Sequence, residues 1–278
     1  MTSFDFSQVD VFAPSPMTGN PVAVVHDATG LSDEQMAAFA SWTNLSETTF
    51  LLPPEDPGAD YRLRIFTPGD ELPFAGHPTL GSAHAWLERG GTPAGDGRVV
   101  QECGIGLVEL RREGDRLAFR APELLRSGPV DDATLGQAVE ALGISEDRVL
   151  DVNWVDNGPG WLGLHLASAA DVLAIRPDGA AMGDLRIGVI GPHAVAGPAD
   201  YEVRAFVPSI GVDEDPVTGS LNAGFAVWLS GGALPADYTV RQGTVLGRRG
   251  DVRISTDHDG TRWVGGASRT LVRGAVEL

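Results

Sequence analysis

The chain has 278 residues, a formal net charge of −18 and 42% hydrophobic residues, and all 20 of its basic residues are arginines. The absence of lysine excludes Schiff-base enzymes and Walker A nucleotide loops, and the negative charge disfavours binding to nucleic acid or to anionic lipid. Cys103 is the only cysteine, which excludes an internal disulfide and a cysteine-based zinc site and fits a reducing compartment.

The first half of the chain alternates short strand-like segments with turn residues, a pattern typical of antiparallel pairing. Ser32, followed three residues later by Gln35, is a capping-box pattern that predicts a helix through about Trp42. A second helix is predicted over 77–89, where apolar residues recur at helical spacing. The predicted strands of this half span 9–12, 22–25, 48–52, 61–66, 107–111 and 116–120.

The second half follows the same alternation after a turn-rich stretch at 122–132, which predicts a domain boundary. Helices are predicted over 134–142, ending before Gly143, and over 220–230. The predicted strands span 149–155, 162–166, 185–190, 202–206, 244–246, 251–255 and 262–265.

An internal repeat relates the two halves. Residues 64–87 read RIFTPGDELPFAGHPTLGSAHAWL, and residues 204–229 read RAFVPSIGVDEDPVTGSLNAGFAVWL. Two flanking pairs agree with an offset of about half the chain: the dipeptide at 10–11 with that at 151–152, and the arginine pair at 111–112 with that at 248–249. This period is far longer than a solenoid repeat of ~20–50 residues, so it indicates two related domains.

The predicted fold class is α+β, with two pseudo-symmetric lobes. Each lobe is expected to be a curled, mostly antiparallel, barrel-like β-sheet around one central apolar helix. The first lobe is predicted over 1–122, completed by 264–278, and the second over 123–263. In both copies of the repeat a strand and a turn lead into a helix N-terminus. We therefore expect an active site that binds an anion in the cleft between the lobes.

Four side chains that could do chemistry lie on or near the repeated turns: Glu47, His77, Asp215 and Ser220. Each alone has an ordinary structural interpretation, such as a solvated strand end, a helix cap or a turn residue. Their shared placement on symmetric turns favours a common functional site.

Several motifs in this order resemble the PhzF-like family of phenazine-biosynthesis-type isomerases, which is related in fold to diaminopimelate epimerase and proline racemase. They are TGNPVAVV (18–25), NLSETTF (44–50), FAGHPTLG (74–81), DPVTGS (215–220), RQG (241–243) and GRRG (247–250). The resemblance implies Glu47 as the acid/base carboxylate, with His77 and Asp215 as further catalytic residues. It implies substrate binding by Gly76, Gly219, Ser220 and, more weakly, Asn20.

The epimerase relatives use two thiols, one directly before each repeated glycine, where this chain has Ala75 and Thr218. With one cysteine, a two-thiol racemase is impossible, which leaves single-base chemistry by a buried carboxylate whose pKa is raised. The resemblance thus implies a cofactor-independent isomerase of the trans-2,3-dihydro-3-hydroxyanthranilate type in secondary metabolism. The alternatives are a thiol-independent epimerase or racemase of a small amino or hydroxy acid, and a catalytically silent binding or scaffold protein.

The expected partner is a small-molecule carboxylate substrate, and the family implies a homodimer. No cofactor is expected, and no metal, because His77 and His84 lack a third ligand at suitable spacing. The N-terminus lacks the pattern of a signal peptide, and no apolar run approaches the ~18 residues of a membrane helix. We therefore expect a cytoplasmic protein with no membrane contact.

Overall fold

The computed structural model describes residues 2–95 and 97–278 and divides the chain into two compact units. The first unit comprises Met1–Arg120 with Gly265–Leu278, and the second comprises Ala121–Val264. The α-helices are α1 (Asp33–Thr43), α2 (Gly76–Glu88), α3 (Asp132–Leu142), α4 (Ala169–Ala174), α5 (Gly179–Met182) and α6 (Gly219–Leu229). The strands are β1 (Ser3–Val11), β2 (Asn20–Val25), β3 (Glu47–Leu52), β4 (Tyr61–Phe66), β5 (Glu71–Leu72), β6 (Val99–Cys103), β7 (Gly106–Glu113), β8 (Arg116–Arg120), β9 (Arg126–Gly128), β10 (Val149–Asp156), β11 (Trp161–Leu166), β12 (Arg186–Pro192), β13 (Tyr201–Val207), β14 (Val212–Glu214), β15 (Tyr238–Gln242), β16 (Gly250–Thr256), β17 (Arg262–Gly266) and β18 (Ser268–Glu277).

The sheet of the first unit runs in the order β18, β1, β2, β3, β4, β6, β7, β8. The β2–β3 and β4–β6 pairs are parallel, the other pairs in this series are antiparallel, and β5 forms a short hairpin with β4. Helix α2 contacts β1, β2, β3, β4, β6, β8 and β18, and its residues from Gly76 to Ala83 are buried. The sheet therefore curls around one buried helix.

The second unit repeats this succession of pairs. Its sheet runs β9, β10, β11, β12, β13, β15, β16, with the β11–β12 and β13–β15 pairs parallel and β14 paired with β13. Helix α6 contacts β10, β11 and β16, and its residues from Gly219 to Ala226 are buried. The predicted α+β class, with a curled sheet around a helix in each half, is confirmed.

Helix α1 fixes where β3, and hence Glu47, begins. The capping box is present: the Gln35 N–H donates to Ser32 Oγ at 3.3 Å, and the Ser32 N–H donates to Gln35 Oε1 at 3.0 Å. The helix ends at Asn44, which adopts a left-handed conformation with φ 53°. The chain then turns directly into β3 at Glu47.

Two parts of the predicted secondary structure need correction. The strand predicted over 244–246 is wrong, because Thr244–Leu246 forms a 3₁₀ turn between Gly243 and Gly247, both at positive φ. The short helices α4 and α5 and the strands β5, β6, β9, β14, β15 and β18 were not predicted. Helices α4 and α5 have six and four residues, which is too short for a helical period to be recognised in the sequence.

The second glycine of each repeat allows the central helix to pack directly on the sheet. A Cβ built on Gly81 would lie 2.4 Å from Val22 Cγ1 and 2.9 Å from Val11 Cγ2. A Cβ on Gly224 would lie 2.6 Å from the carbonyl oxygen of Val155. These glycines recur because no side chain fits between helix and strand at these points.

We expect Gly81→Ala to lower the free energy of unfolding by about 1–3 kcal/mol, because the added methyl group overpacks the β1–β2 face. The matched control is Gly136→Ala on α3, where a Cβ meets nothing within 4 Å. That change should instead stabilise the protein by up to about 1 kcal/mol through helix propensity. Urea unfolding followed by circular dichroism measures both, and equal effects of the two substitutions would contradict the packing argument.

Candidate active site

The first cluster of predicted site residues lies at the N-terminus of α2. The helix begins at Gly76, and its N-cap residue Ala75 is extended and provides no side-chain cap. The preceding Phe74 is fully buried and packs edge-on against Phe119, with ring centroids 5.5 Å apart, which anchors the chain before the helix. The first N–H groups of α2 therefore lie at the positive end of a helix without a side-chain cap, as an anion-binding site requires.

Parallel pairing of β2 and β3 brings two further side chains beside His77. Asn20 is the first residue of β2, and Glu47 is the first residue of β3, where it pairs with Val22. Asn20 Nδ2 lies 3.3 Å from His77 Nδ1, and Glu47 Oε2 lies 3.3 Å from His77 Nε2. All three residues are buried, with exposures of 0% for Asn20, 8% for Glu47 and 2% for His77.

His77 is a neutral imidazole in this cluster. Burial lowers the pKa of His77 to about 3, partly opposed by a hydrogen bond to the backbone of Pro21. Nδ1 lies within hydrogen-bond distance of the Asn20 amide, and Nε2 faces the Glu47 carboxylate. The contact between Glu47 and His77 is thus a carboxylate beside a neutral imidazole, and it is not an ion pair at neutral pH.

We expect the His77 imidazole resonances to stay constant between pH 5 and pH 8 and to move only below about pH 4. The folded pKa lies below the unfolded value of about 6.5, so between these values the unfolded chain binds a proton that the folded chain does not. His77 therefore lowers the free energy of unfolding as the pH falls from about 6.5 towards 3. Two-dimensional NMR of ¹⁵N-histidine-labelled protein, with added free imidazole as the reference, checks this, and a His77 midpoint near 6.5 would contradict it.

A buried carboxylate holds the turn that carries Asn20. The Asp10 carboxylate accepts the backbone N–H groups of Thr18 and Gly19, each at 3.1 Å. A Cβ on Gly19 would lie 2.0 Å from the carbonyl oxygen of Val11, so only glycine fits this turn. Asp10 was not among the predicted site residues, although an aspartate in a strand that pairs back on a Gly-Asn turn is the signal that could have pointed to it.

The second cluster lies at the N-terminus of α6. Asp215 is 8% exposed, and its Oδ2 accepts the Thr218 hydroxyl at 2.5 Å. Thr218 is the N-cap residue of α6, but its hydroxyl is directed at Asp215 and does not cap the helix, which begins at Gly219. This helix N-terminus, like that of α2, therefore has no side-chain cap.

Ser220 is held by two side chains that the sequence did not identify. Trp161 Nε1 donates to Ser220 Oγ at 3.0 Å, and Asn157 Nδ2 donates to the Ser220 carbonyl oxygen at 2.8 Å. Asn157 belongs to the Asn-Gly-Pro turn, the counterpart of the turn that holds Asn20. The serine side chain thus serves to position the first turn of α6.

The predicted site residues fall into two clusters, one in each unit. The first unit brings together Asn20, Glu47, Gly76 and His77, and the second brings together Asp215, Gly219 and Ser220.

The two positions that carry thiols in the epimerase relatives are structural here. Ala75 is the N-cap residue of α2 and Thr218 that of α6. The Thr218 hydroxyl donates to Asp215 and accepts from Gln242 Nε2 at 2.8 Å, so its hydrogen-bonding capacity is committed. Cys103, the one thiol, ends β6, and burial raises its pKa, which keeps it protonated at neutral pH.

Across residues 2–95 and 97–278, no three His, Cys, Asp or Glu side chains are grouped as metal ligands would be. In the same part of the chain, no helix is both long and apolar enough to cross a membrane.

Known proteins resemble this chain over nearly its whole length. The family model described as phenazine biosynthesis-like protein matches residues 9–276. The chain belongs to this PhzF-like family. "Antisense-enhancing sequence 1" of Schizosaccharomyces pombe is 38% identical, with 99% of each chain covered. A trans-2,3-dihydro-3-hydroxyanthranilate isomerase of Pseudomonas chlororaphis is 39% identical over 80% of this chain and 78% of the relative.

A solved structure supports the same fold assignment. A PhzF-family protein of Enterococcus faecalis matches with a TM-score of 0.80 at 24% identity, and both chains are covered completely. Membership of this PhzF-like family and relatives named as isomerases identify the chain as an isomerase. The prediction of a PhzF-like isomerase made from the motifs is therefore confirmed at the level of family and reaction class.

Proposed function

We propose that this PhzF-like isomerase uses Glu47 as a single base to shift a proton on a small cyclic carboxylate of the trans-2,3-dihydro-3-hydroxyanthranilate type. The observation that carries the proposal is the Glu47–His77 contact. A buried carboxylate lies 3.3 Å from the Nε2 of a neutral histidine, at a helix N-terminus without a side-chain cap. A proton shift needs a base, a group that stabilises charge on the intermediate and a site for the substrate anion.

In the proposed reaction the Glu47 carboxylate removes a proton from a ring carbon next to the diene. The electron pair left behind delocalises through the conjugated system, and the protonated Glu47 returns the same proton to another ring carbon on the same face. No atom or electron is gained or lost overall, so the step requires neither an oxidant nor a second substrate. The neutral His77 imidazole packs beside Glu47 and would stabilise negative charge on the intermediate through a ring N–H.

The remaining predicted residues supply binding in this scheme. The first N–H groups of α2, at Gly76 and His77, would hold the substrate carboxylate, and those of α6, at Gly219 and Ser220, would act in the same way. Asp215 accepts hydrogen bonds when ionised, so it suits the amino or hydroxyl group of the substrate.

The Pseudomonas relative supports this substrate class by its name, whereas the Schizosaccharomyces relative, which matches over more of its length, carries a different name. We therefore propose trans-2,3-dihydro-3-hydroxyanthranilate as the first compound to test. A homodimer stays a prediction, which sedimentation equilibrium would test.

The deciding experiment is incubation of the enzyme with trans-2,3-dihydro-3-hydroxyanthranilate in D₂O, followed by proton NMR. We expect loss of vinyl signals and formation of a product that carries the shifted hydrogen or solvent deuterium at one ring carbon. Loss of optical activity without a change in the double bonds would instead indicate the epimerase alternative. Binding of the compound without any change in its spectrum would indicate a silent binding protein, and absence of both would rule out this substrate.

A further inference from the structure

Gln242, in the RQG motif, is fully buried and uses its whole amide to hold the loop that carries Asp215. Its Oε1 accepts the Thr218 backbone N–H at 3.0 Å and Asn222 Nδ2 at 3.1 Å. Its Nε2 donates to the Asp215 carbonyl oxygen at 3.1 Å and to Thr218 Oγ1 at 2.8 Å. The two groups that contact Gln242 Oε1 can only donate, so this atom must be the amide oxygen and the orientation of the amide is fixed.

This fixed amide determines the direction of the next hydrogen bond. A threonine hydroxyl has one proton, and the Gln242 Nε2–H already donates to its oxygen. The Thr218 proton is therefore directed to Asp215 Oδ2, at 2.5 Å. The result is a one-way chain from Gln242 through Thr218 to the Asp215 carboxylate, and hydrogen bonds in such a chain strengthen one another.

Two glycines of the neighbouring motifs enclose the same loop. Gly243 has φ +87°, and a Cβ there would lie 2.6 Å from the Pro216 carbonyl oxygen. A Cβ on Gly250 would lie 2.1 Å from Val217 Cγ2. Both glycines permit close approach of the 241–250 segment to the 215–218 loop, so the loop is held from its backbone as well as through its side chains.

We propose that Gln242 is a positioning residue for the isomerase reaction, which acts through Thr218 to fix the orientation of the Asp215 carboxylate. This rests on the proposed function, in which Asp215 contacts substrate. Gln242→Glu is the sharpest test, because it keeps the shape and removes the Nε2 donor. Thr218 would then donate to the new carboxylate, and Asp215 would lose the hydrogen bond from Thr218.

The kinetic test is a double-mutant cycle on the substrate that wild-type enzyme turns over. Gln242→Glu and Thr218→Val should each lower kcat about 10–100-fold with a smaller change in KM, and Thr218→Ser should recover most of the loss. In an Asp215→Asn background the same two substitutions should lower kcat by less than a further factor of about three, because their effect passes through Asp215. The proposal would be overturned if these substitutions lowered kcat equally with and without Asp215→Asn, or if Thr218→Val left kcat unchanged.

The matched control is Gln101→Met. Gln101 is a fully buried glutamine on β6, bonded to the Tyr61 hydroxyl at 3.2 Å and to Thr79 Oγ1 at 3.0 Å. Its replacement removes a buried amide of the same kind without touching the Asp215 loop. It should lower thermal stability while kcat of the folded enzyme stays within about twofold of wild type.

A second readout needs neither turnover nor a folded Gln242→Glu protein. The ¹³C carboxyl resonance of Asp215, assigned by its loss in Asp215→Asn, should move in Thr218→Val and stay near its wild-type position in Thr218→Ser and Gln101→Met. A resonance unchanged in Thr218→Val would overturn the positioning role. If the Asp215 resonance moves as expected while wild-type enzyme leaves trans-2,3-dihydro-3-hydroxyanthranilate unchanged, the proposed substrate is wrong and the positioning role stands.

Discussion

Replacement of Glu47 by Gln is expected to lower kcat about 10²–10⁴-fold while the protein remains folded. Glutamine has nearly the same volume as glutamate, so it fills the same buried space beside the neutral His77. The amide cannot take up a proton from carbon, so the proposed single base is lost and substrate binding is largely kept. Initial rates measured by proton NMR, with a thermal melt to verify folding, give the two quantities needed.

A second buried glutamate provides the control for this substitution. Glu202 on β13 is 1% exposed, and its Oε2 lies 3.2 Å from His193 Nε2, so it repeats the glutamate–histidine contact in the second unit. It contacts none of the predicted site residues in the described hydrogen bonds and ion pairs. Glu202→Gln should leave kcat within about twofold of wild type. A similar loss of activity in both variants, or full activity of Glu47→Gln, would contradict the assignment of Glu47 as base.

The internal repeat predicted the two helix N-termini correctly, but the flanking residue pairs matched with it do not occupy equivalent positions in the two units. Gly76 and Gly219 begin α2 and α6, as the matched motifs predicted. The arginine pair at 111–112 lies inside β7, whereas the pair at 248–249 lies in the turn before β16. Packing constrains the glycines because a Cβ would clash at 81 and 224, while these arginines, which are exposed or half-buried, need not recur at equivalent positions.

The predicted equivalence of residues 10–11 with residues 151–152 was also wrong. Asp10 pairs with Pro21 beside the Gly-Asn turn, but Asp151 pairs with His165, near the far end of its hairpin. The turn beside Asn157 is instead organised by Asp156, whose Oδ1 accepts the Gly158 and Gly160 N–H groups, each at 2.7 Å. A two-residue identity carries too little information to fix the register of a strand.

The sequence revealed the residues of the proposed chemistry more readily than those that hold them. Glu47 and His77 were found because family motifs and symmetric turns marked them, and the structure places them in contact. Gln242 and Trp161 contact the second cluster through hydrogen bonds that link positions far apart in sequence. A single buried amide or indole leaves no periodic signal, so only the three-dimensional structure reveals such contacts.

The arginine at the start of each repeat forms the same ion pair in two different environments. Arg204 is 2% exposed, and its Nε and Nη2 donate to the two carboxylate oxygens of Glu214 at 2.9 and 2.7 Å. Its Nη1 donates to the carbonyl oxygen of Ile175 at 2.9 Å, at the C-terminus of α4. Arg64 makes the equivalent contact with Glu71, but 42% of the Glu71 side chain is exposed.

This difference predicts unequal effects of the same substitution. Arg204→Met should lower the free energy of unfolding by about 3–5 kcal/mol, because it leaves the Glu214 carboxylate buried without its partner. Arg64→Met should lower it by about 0–1 kcal/mol, since water can solvate the exposed Glu71 and Asp33 carboxylates that Arg64 contacts. Urea unfolding measures both changes, with the m-value as a check on the transition.

The double variant Arg204→Met/Glu214→Leu separates the cost of an orphaned charge from the loss of the attractive pair. Removal of both charged groups from a buried site is often neutral, so the double variant should recover much of the stability that Arg204→Met loses. If the double variant is as unstable as the single one, the hydrogen bond from Arg204 to the C-terminus of α4 accounts for the loss. Equal costs for Arg204→Met and Arg64→Met would instead mean that burial does not set the strength of this contact.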